Sequence, residues 1–213
     1  MGNIKNRGNK GKNKNIISES ILKIQMFLKS GSFVAEAIND IIFVVGAVVI
    51  FALFSQVFFG TYHPMVAVES GSMIPHMNIG DIVFIESIDR TEIITKEEGM
   101  QIDYTNFNDY GDVILYRPYG RTDVTPIIHR AMYHVRKGES MYPENATVWA
   151  GARIAPNDGY VTKGDHNTRY DQETEISTVP VKDEWVIGVA KQKIPYLGYV
   201  RLTMESLIPK SLV

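Results

Sequence analysis

Three clusters of polar side chains in this 213-residue chain are of types that carry out acyl transfer. The first is VESGSMIPHMNIGD, residues 68–81, in which Ser70 and Ser72 flank Gly71. The second is PIIHRAMYHV, residues 126–135, which holds His129, and the third is TKGDHNTRYDQE, residues 162–173, which holds Asp165, His166 and Asp171. Hydrolysis of an amide without a metal or a cysteine needs an activated hydroxyl, a base within hydrogen-bond reach, a group that orients the base, and donors for the oxyanion. A serine, a histidine and a short carboxylate are the side chains of that chemistry. The chain has no cysteine, so thiol nucleophiles, disulfides, zinc–thiolate sites and iron–sulfur clusters are excluded.

Taken singly, each cluster has a plainer reading. Gly71 removes a side chain and permits backbone geometries that bring an Oγ and an amide N–H onto one carbonyl, but Ser-Gly-Ser also makes an ordinary surface turn. Strand alternation puts His129 on one face with Ile127 and Ala131, and Ile128, Arg130 and Met132 on the other. His129 is therefore either a satisfied core histidine or a base in a partly dry site. The third cluster is either an Asx turn with a solvated tip or a source of carboxylates for a histidine. Read as metal ligands, Asp165, His166 and Asp171 match no common zinc or calcium loop spacing. His63 and His76 lie beside prolines in turn-like contexts, and no role suggests itself for His76.

The elements that must position these residues are mostly strands. VAVES, DIVFIES, GDVILYRP, PIIHRAMYHV, ATVWAGA and EWVIGVAKQKI are short runs rich in Val, Ile and Tyr, punctuated by Gly, Pro, Asn and Asp. They predict a mainly β fold over residues 61–213, an antiparallel sandwich or coiled, partly open barrel, with no strong helical pattern between the strands. Two polar stretches, 89–109 and 137–156, read as excursions from it. Two Gly-Asp-hydrophobic openings, GDIVF at Gly80 and GDVIL at Gly111, each read as a turn feeding a strand.

Ahead of the β region lies IIFVVGAVVIFALFSQVFF, residues 41–59, which carries no charge. As a helix it spans about 28 Å, close to the thickness of a bilayer's hydrocarbon core. A buried core helix would show a polar stripe, and a cleavable signal peptide has a shorter apolar run nearer the start. A transmembrane anchor over 38–60 is the expectation. The net charge of −2 conceals an asymmetry: residues 1–40 carry seven basic and three acidic side chains, a net +4, and the remainder sums to −6. Basic residues ahead of the span put the N-terminus in the cytoplasm by the positive-inside rule, with Asp40 at the boundary. Residues 1–15 read as a basic disordered tail. Residues 16–37, with Ile17, Ile21, Ile24 and Leu28 at spacings of four, three and four, read as an amphipathic segment that lies on a membrane or docks on its own domain. The small net charge gives no reason to expect nucleic acid.

Together and in this order, the clusters resemble the type I signal peptidases, membrane-anchored serine proteases that remove signal peptides from exported proteins. SGSMIPHMNIGD resembles their nucleophile box, GDVILYRP the strand box after it, IIHRAMYHV the base box, KGDHNTRYD the acidic box, and IPYLGYVRL the closing strand. The bacterial branch has a lysine in the base box; His129 at that position is similar to the archaeal and endoplasmic-reticulum branch. The resemblance implies Ser72 as nucleophile and His129 as general base, with Asp171 orienting the histidine and Asp165 supporting the site. It implies Ser70 and the backbone N–H of Ser72 as oxyanion donors, and no metal or other cofactor. His166 departs from the family's usual asparagine.

The implied substrates are preproteins bound in extended form and cut after small residues. The implied location is a cell membrane or the endoplasmic-reticulum membrane, single-pass, with the catalytic domain extracytoplasmic, alone or with other subunits of a secretion or signal peptidase complex. Two other readings remain at this stage. One is a single-pass protein whose β domain only binds partners. The other is a self-cleaving repressor-type protease, which predicts a soluble chain and a lysine base. NAT at Asn145 is a glycosylation sequon.

A histidine base makes a testable demand. The kcat/KM for preprotein cleavage should climb through the range where imidazole loses its proton, whereas a rise only above about pH 8.5 would indicate a lysine.

Overall fold

The computed structural model describes residues 8–142, 153–199 and 203, with side chains from residue 18. The Asn145 sequon, ATVWAGA and residues 1–7 of the expected tail lie outside the described residues. The chain divides into two compact units, Met1–Phe54 and Ser55–Val213.

The first unit is helical. Helix α1 covers Gly8–Leu28, and so begins within the stretch expected to be a disordered tail. Helix α2 covers Phe33–Phe59, its residues from Ser55 onward belonging to the second unit. Between the two helices Gly31 takes a positive φ of 68°, and Ser32 caps α2 by accepting the Ala35 N–H on Oγ at 3.3 Å. Asn39 Nδ2 donates to the Leu28 carbonyl at 2.9 Å, which satisfies an orphan acceptor at the end of α1. Helix α2 is long and apolar enough to cross a membrane by length and composition. Most of its apolar side chains are uncovered, Phe43 at 76% and Ile50 at 69% exposure, which is the surface a lipid-facing helix presents and a soluble core helix does not.

The second unit is built on one antiparallel sheet. Its strands are β1 (Met65–Ala67), β2 (Ile82–Glu86), β5 (Val113–Tyr116), β6 (Ile127–Val135), β7 (Gly159–Lys163) and β8 (Val186–Ile194), in the order β1-β2-β8-β5-β6-β7. The sheet is not closed into a barrel: β1 and β7 are its edges. Register shifts at Phe84/Ile85, Leu115/Tyr116 and Ala131/Tyr133 bend the strands and increase their local twist. Both faces are covered. Val83, Ile85, Val113 and Leu115 pack with Met73 and Met77 on one side, while Ile114, Tyr116, Ala131 and Val189 pack on the other. That is why all four residues of β5 are buried.

The 89–109 excursion is more structured than its composition indicated. It contains α3 (Lys96–Ile102) and a small hairpin of β3 (Thr105–Asn106) and β4 (Asp109–Tyr110). The absence of a strong helical pattern among the strands thus coexists with one short helix. Thr95 and Glu98 form a reciprocal capping box that satisfies the first orphan donors of α3. Seven residues are too few for a periodic signal. Strand β8 ends at Ile194, as the run EWVIGVAKQKI indicates; of IPYLGYVRL, residues 195–198 form a turn and residues 200–202 lie outside the described residues.

The two Gly-Asp openings share one construction. Gly80 and Gly111 take positive φ, and the aspartate after each is buried and staples a distant segment. Asp112 accepts from Ile94 N–H, Tyr104 OH and Asn106 Nδ2. Asp81 accepts from Asn78 N–H at 3.0 Å, Lys193 Nζ at 3.1 Å and Tyr196 N–H at 3.4 Å. Burial alone would raise the pKa of Asp81, but these hydrogen bonds outweigh it and hold the carboxyl below its usual value. A depressed folded-state pKa stabilises the protein above the unfolded value, near pH 4, and that contribution disappears as pH falls through the folded value. Asp81→Asn should cost about 2 kcal/mol near neutrality and flatten this part of the stability–pH curve, as measured by thermal unfolding from pH 3 to 7.

Candidate active site

Ser72 lies in the turn that follows β1. Met73 and Met77, four residues apart and both fully buried, anchor the turn in the core, and the Met77 N–H donates to the Met73 carbonyl at 2.9 Å. Ser72 therefore sits at the surface of a rigid base. Its Oγ is 2.9 Å from His129 Nε2 and 3.2 Å from Ser70 Oγ.

His129 is carried by β6, opposite Ile114 of β5, and is 3% exposed. Its Nδ1 is 2.7 Å from Asp171 Oδ2. Asp171 begins a short 3-10 turn after β7 and is completely buried. The same Oδ2 accepts from Tyr116 OH at 2.9 Å and Thr162 Oγ1 at 2.7 Å. Burial, together with the Asp171 charge, pushes the Tyr116 phenol well above its usual pKa, so it remains a donor at any working pH. A carboxylate oxygen surrounded by donors has only lone pairs to offer. It therefore fixes the His129 proton on Nδ1 and leaves the Nε2 lone pair facing Ser72.

Asp165 belongs to a different network. Its Oδ1 accepts from Arg130 Nε at 2.9 Å, and its Oδ2 from Arg130 Nη2 at 2.7 Å and His76 Nδ1 at 2.7 Å. Arg130 is fully buried, and its Nη1 donates to the carbonyls of Gly111 at 2.7 Å and Asn106 at 2.9 Å. His76, Asp109 and Asp165 offer potential metal ligands within 4.8 Å of one another. Two cationic side chains already sit among these oxygens: Arg130, and Lys96 at 2.6 Å from Asp109.

The structure thus brings Ser70, Ser72, His129 and Asp171 together and sets Asp165 apart on Arg130 and His76. His166 is exposed, but its backbone N–H donates to the Ser72 carbonyl at 2.8 Å. His134 is exposed and packs edge-on against Tyr160, away from these groups. Sequence reasoning did not find Tyr116, Thr162, Arg130 or His76. Arg130 carried a signal, because a charged residue flanked by Ile128 and Met132 on an apolar strand face must be answered by a buried carboxylate.

A cleft of about 400 Å³ opens in front of the serine, lined by Val66 and Ala67 of β1, Glu69, Ser70, Ser72, Leu115 and residues 125–129. A hydroxyl, an imidazole and a buried carboxylate in one row beside this cleft, in a chain with one membrane-length apolar helix among the described residues, are the arrangement of a membrane-anchored serine endopeptidase. No family model matches the chain. It is similar to three fungal proteins named signal peptidase complex catalytic subunit sec11. That of Aspergillus terreus is 28% identical over 70% of both chains. The Talaromyces marneffei protein is 29% identical over 67% of this chain and 65% of its own. The Eremothecium gossypii protein is 28% identical over 68% of both. The chain is thus similar to the catalytic subunits of Sec11 type, the branch of signal peptidases that its sequence resembles.

Gly164 shows how little room the site leaves. A Cβ there would lie 2.6 Å from the Ser72 carbonyl oxygen and 2.9 Å from His129 Nε2. Gly164→Ala should therefore push serine and histidine apart and lower kcat about 100-fold, while circular dichroism shows the fold retained.

Proposed function

We propose that this protein removes N-terminal signal peptides from secreted and membrane preproteins, cutting after small residues, with Ser72 as nucleophile and His129 as general base. The observation that carries the proposal is the row Ser72 Oγ to His129 Nε2, 2.9 Å, and His129 Nδ1 to Asp171 Oδ2, 2.7 Å. As Ser72 Oγ bonds to the scissile carbonyl carbon, its proton passes to Nε2, and the Asp171 carboxylate stabilises the imidazolium. The carbonyl oxygen gains the negative charge, and the Ser70 hydroxyl and Ser72 N–H are the donors assigned to it. Nε2 then gives the proton to the leaving amine. Water attacks the acyl–serine by the same route in reverse and releases the signal peptide. Asp165 supports the site from the Arg130 side.

The cleft supports an extended substrate. It runs along β1, an edge strand with Val66 and Ala67 in its wall, so a preprotein segment can pair with the strand while small side chains fit against it. Lysines ahead of the apolar helix support a cytoplasmic N-terminus, with residues 61–213 as an extracytoplasmic catalytic domain. Twelve residues lie between Phe59 and Ser72, a reach of at most about 40 Å, which keeps the nucleophile near the membrane face where a signal peptide presents its cut site. The similar proteins are named as subunits of a complex, and assembly with further subunits in a cell or endoplasmic-reticulum membrane belongs to the same proposal.

In detergent-solubilised full-length protein, Ser72→Ala should reduce preprotein cleavage by at least about a thousandfold with an unchanged circular dichroism spectrum. Cleavage at the unsubstituted rate would remove the proposal.

A further inference from the structure

His76 takes no part in the row of hydrogen bonds that ends on Ser72. It is nevertheless tied to the loop that carries both carboxylates: its Nδ1 lies 2.7 Å from Asp165 Oδ2, and its side chain is 19% exposed. Asp165 is already engaged by the Arg130 guanidinium through both oxygens. A carboxylate in that pairing has only lone pairs left, so the ring nitrogen facing it is the donor.

Consider what holds the nucleophile turn. The 71–77 segment is joined to the 164–167 turn at two points four residues apart. One is the main-chain bond from His166 N–H to the Ser72 carbonyl, 2.8 Å; the other is the His76 side chain on Asp165. With its methionines anchored in the core, the segment meets the 164–167 turn at a defined distance through one attachment. Two attachments fix its angle as well as its distance. The far side of the second joint does not yield either, because Arg130 is fully buried and held by the carbonyls of Gly111 and Asn106. On the near side, Gly164 already lies against the Ser72 carbonyl and His129 Nε2.

We infer that His76 is a positioning residue for the proposed hydrolysis: its N–H to Asp165 sets the angle of the Ser72 turn and thereby aims Ser72 Oγ at His129 Nε2. The inference rests on the reading of Ser72 as nucleophile. It does not require His76 to touch substrate or exchange a proton. The anchoring of Met73 and Met77 in the core holds the turn in place overall, so His76 governs orientation and contributes little to folding. Because a serine–histidine pair works only within a narrow range of distance and angle, loss of one joint falls on the chemical step and not on substrate binding.

The test uses detergent-solubilised full-length protein, a preprotein substrate, and measurements of kcat, KM and Tm. His76→Ala should lower kcat by about 10- to 100-fold with KM changed less than about threefold and Tm little altered. His76→Asn places an amide N–H where Nδ1–H was and should restore most of the lost kcat. In an Asp165→Asn background, whose own loss also includes leaving Arg130 without its counter-charge, His76→Ala should add little further loss of kcat, because the joint it removes is already weakened. The inference is overturned if His76→Ala keeps full kcat, if His76→Asn is as slow as His76→Ala, if the two losses simply multiply, or if kcat falls only in proportion to Tm. Ser72→Ala serves as the separate control: undiminished cleavage there removes the nucleophile assignment itself, whereas an inactive Ser72→Ala beside a fully active His76→Ala removes only the role of His76.

Discussion

The organisation of the β unit depends on the placement of two adjacent polar side chains on one buried strand. His129 and Arg130 are neighbours on β6 and point to opposite faces of a sheet that is covered on both sides. A guanidinium with no exposure must be matched by a carboxylate and enough acceptors to occupy its remaining N–H groups, or it costs several kcal/mol. A buried imidazole that is to keep one tautomer needs an acceptor on one ring nitrogen. Both requirements are met from a single stretch of chain after β7, by Asp165 on one face and Asp171 on the other.

The excursion and the loops follow from this. The hairpin of β3 and β4 brings the carbonyls of Asn106 and Gly111 to Arg130, and the buried Asp112 staples that excursion to the sheet. Tyr116 and Thr162 reach the opposite face and converge on Asp171. The serine turn closes against this assembly from a third direction, through a main-chain bond and a side-chain bond. In the proposed reaction, the face with Asp171 sets the proton's position and the face with Asp165 sets the direction of the nucleophile. The two carboxylates, six residues apart, thus have separate tasks because a strand alternates.

Much of this was visible in the residues. The apolar helix could be read because a lipid-facing segment carries its signal in every residue. Most strands could be read because half-buried β structure marks itself with β-branched residues and turn punctuation. Both Gly-Asp openings feed strands as expected, Gly80 from a turn but Gly111 from a bridge to Thr105, and the burial of their aspartates was not legible, since it depends on partners such as Lys193, more than a hundred residues away. Helix α3 is not legible because it is only seven residues long and marked by a capping box without an apolar stripe. The run EWVIGVAKQKI marks the end of β8 at Ile194, and Pro195 and Gly198 turn the chain directly after it.

The sequence by itself determined the membrane-length helix, the β texture of the remainder, and the set of side chains able to carry out acyl transfer, since these depend on residue type and near-neighbour spacing. It did not decide which carboxylate meets which base, or that His76 meets Asp165 at all. Those pairings join residues 35 to 89 positions apart. Only the tertiary structure decided them, because the order of strands in the sheet and the two-residue period of β6 select the face on which each charge must be answered.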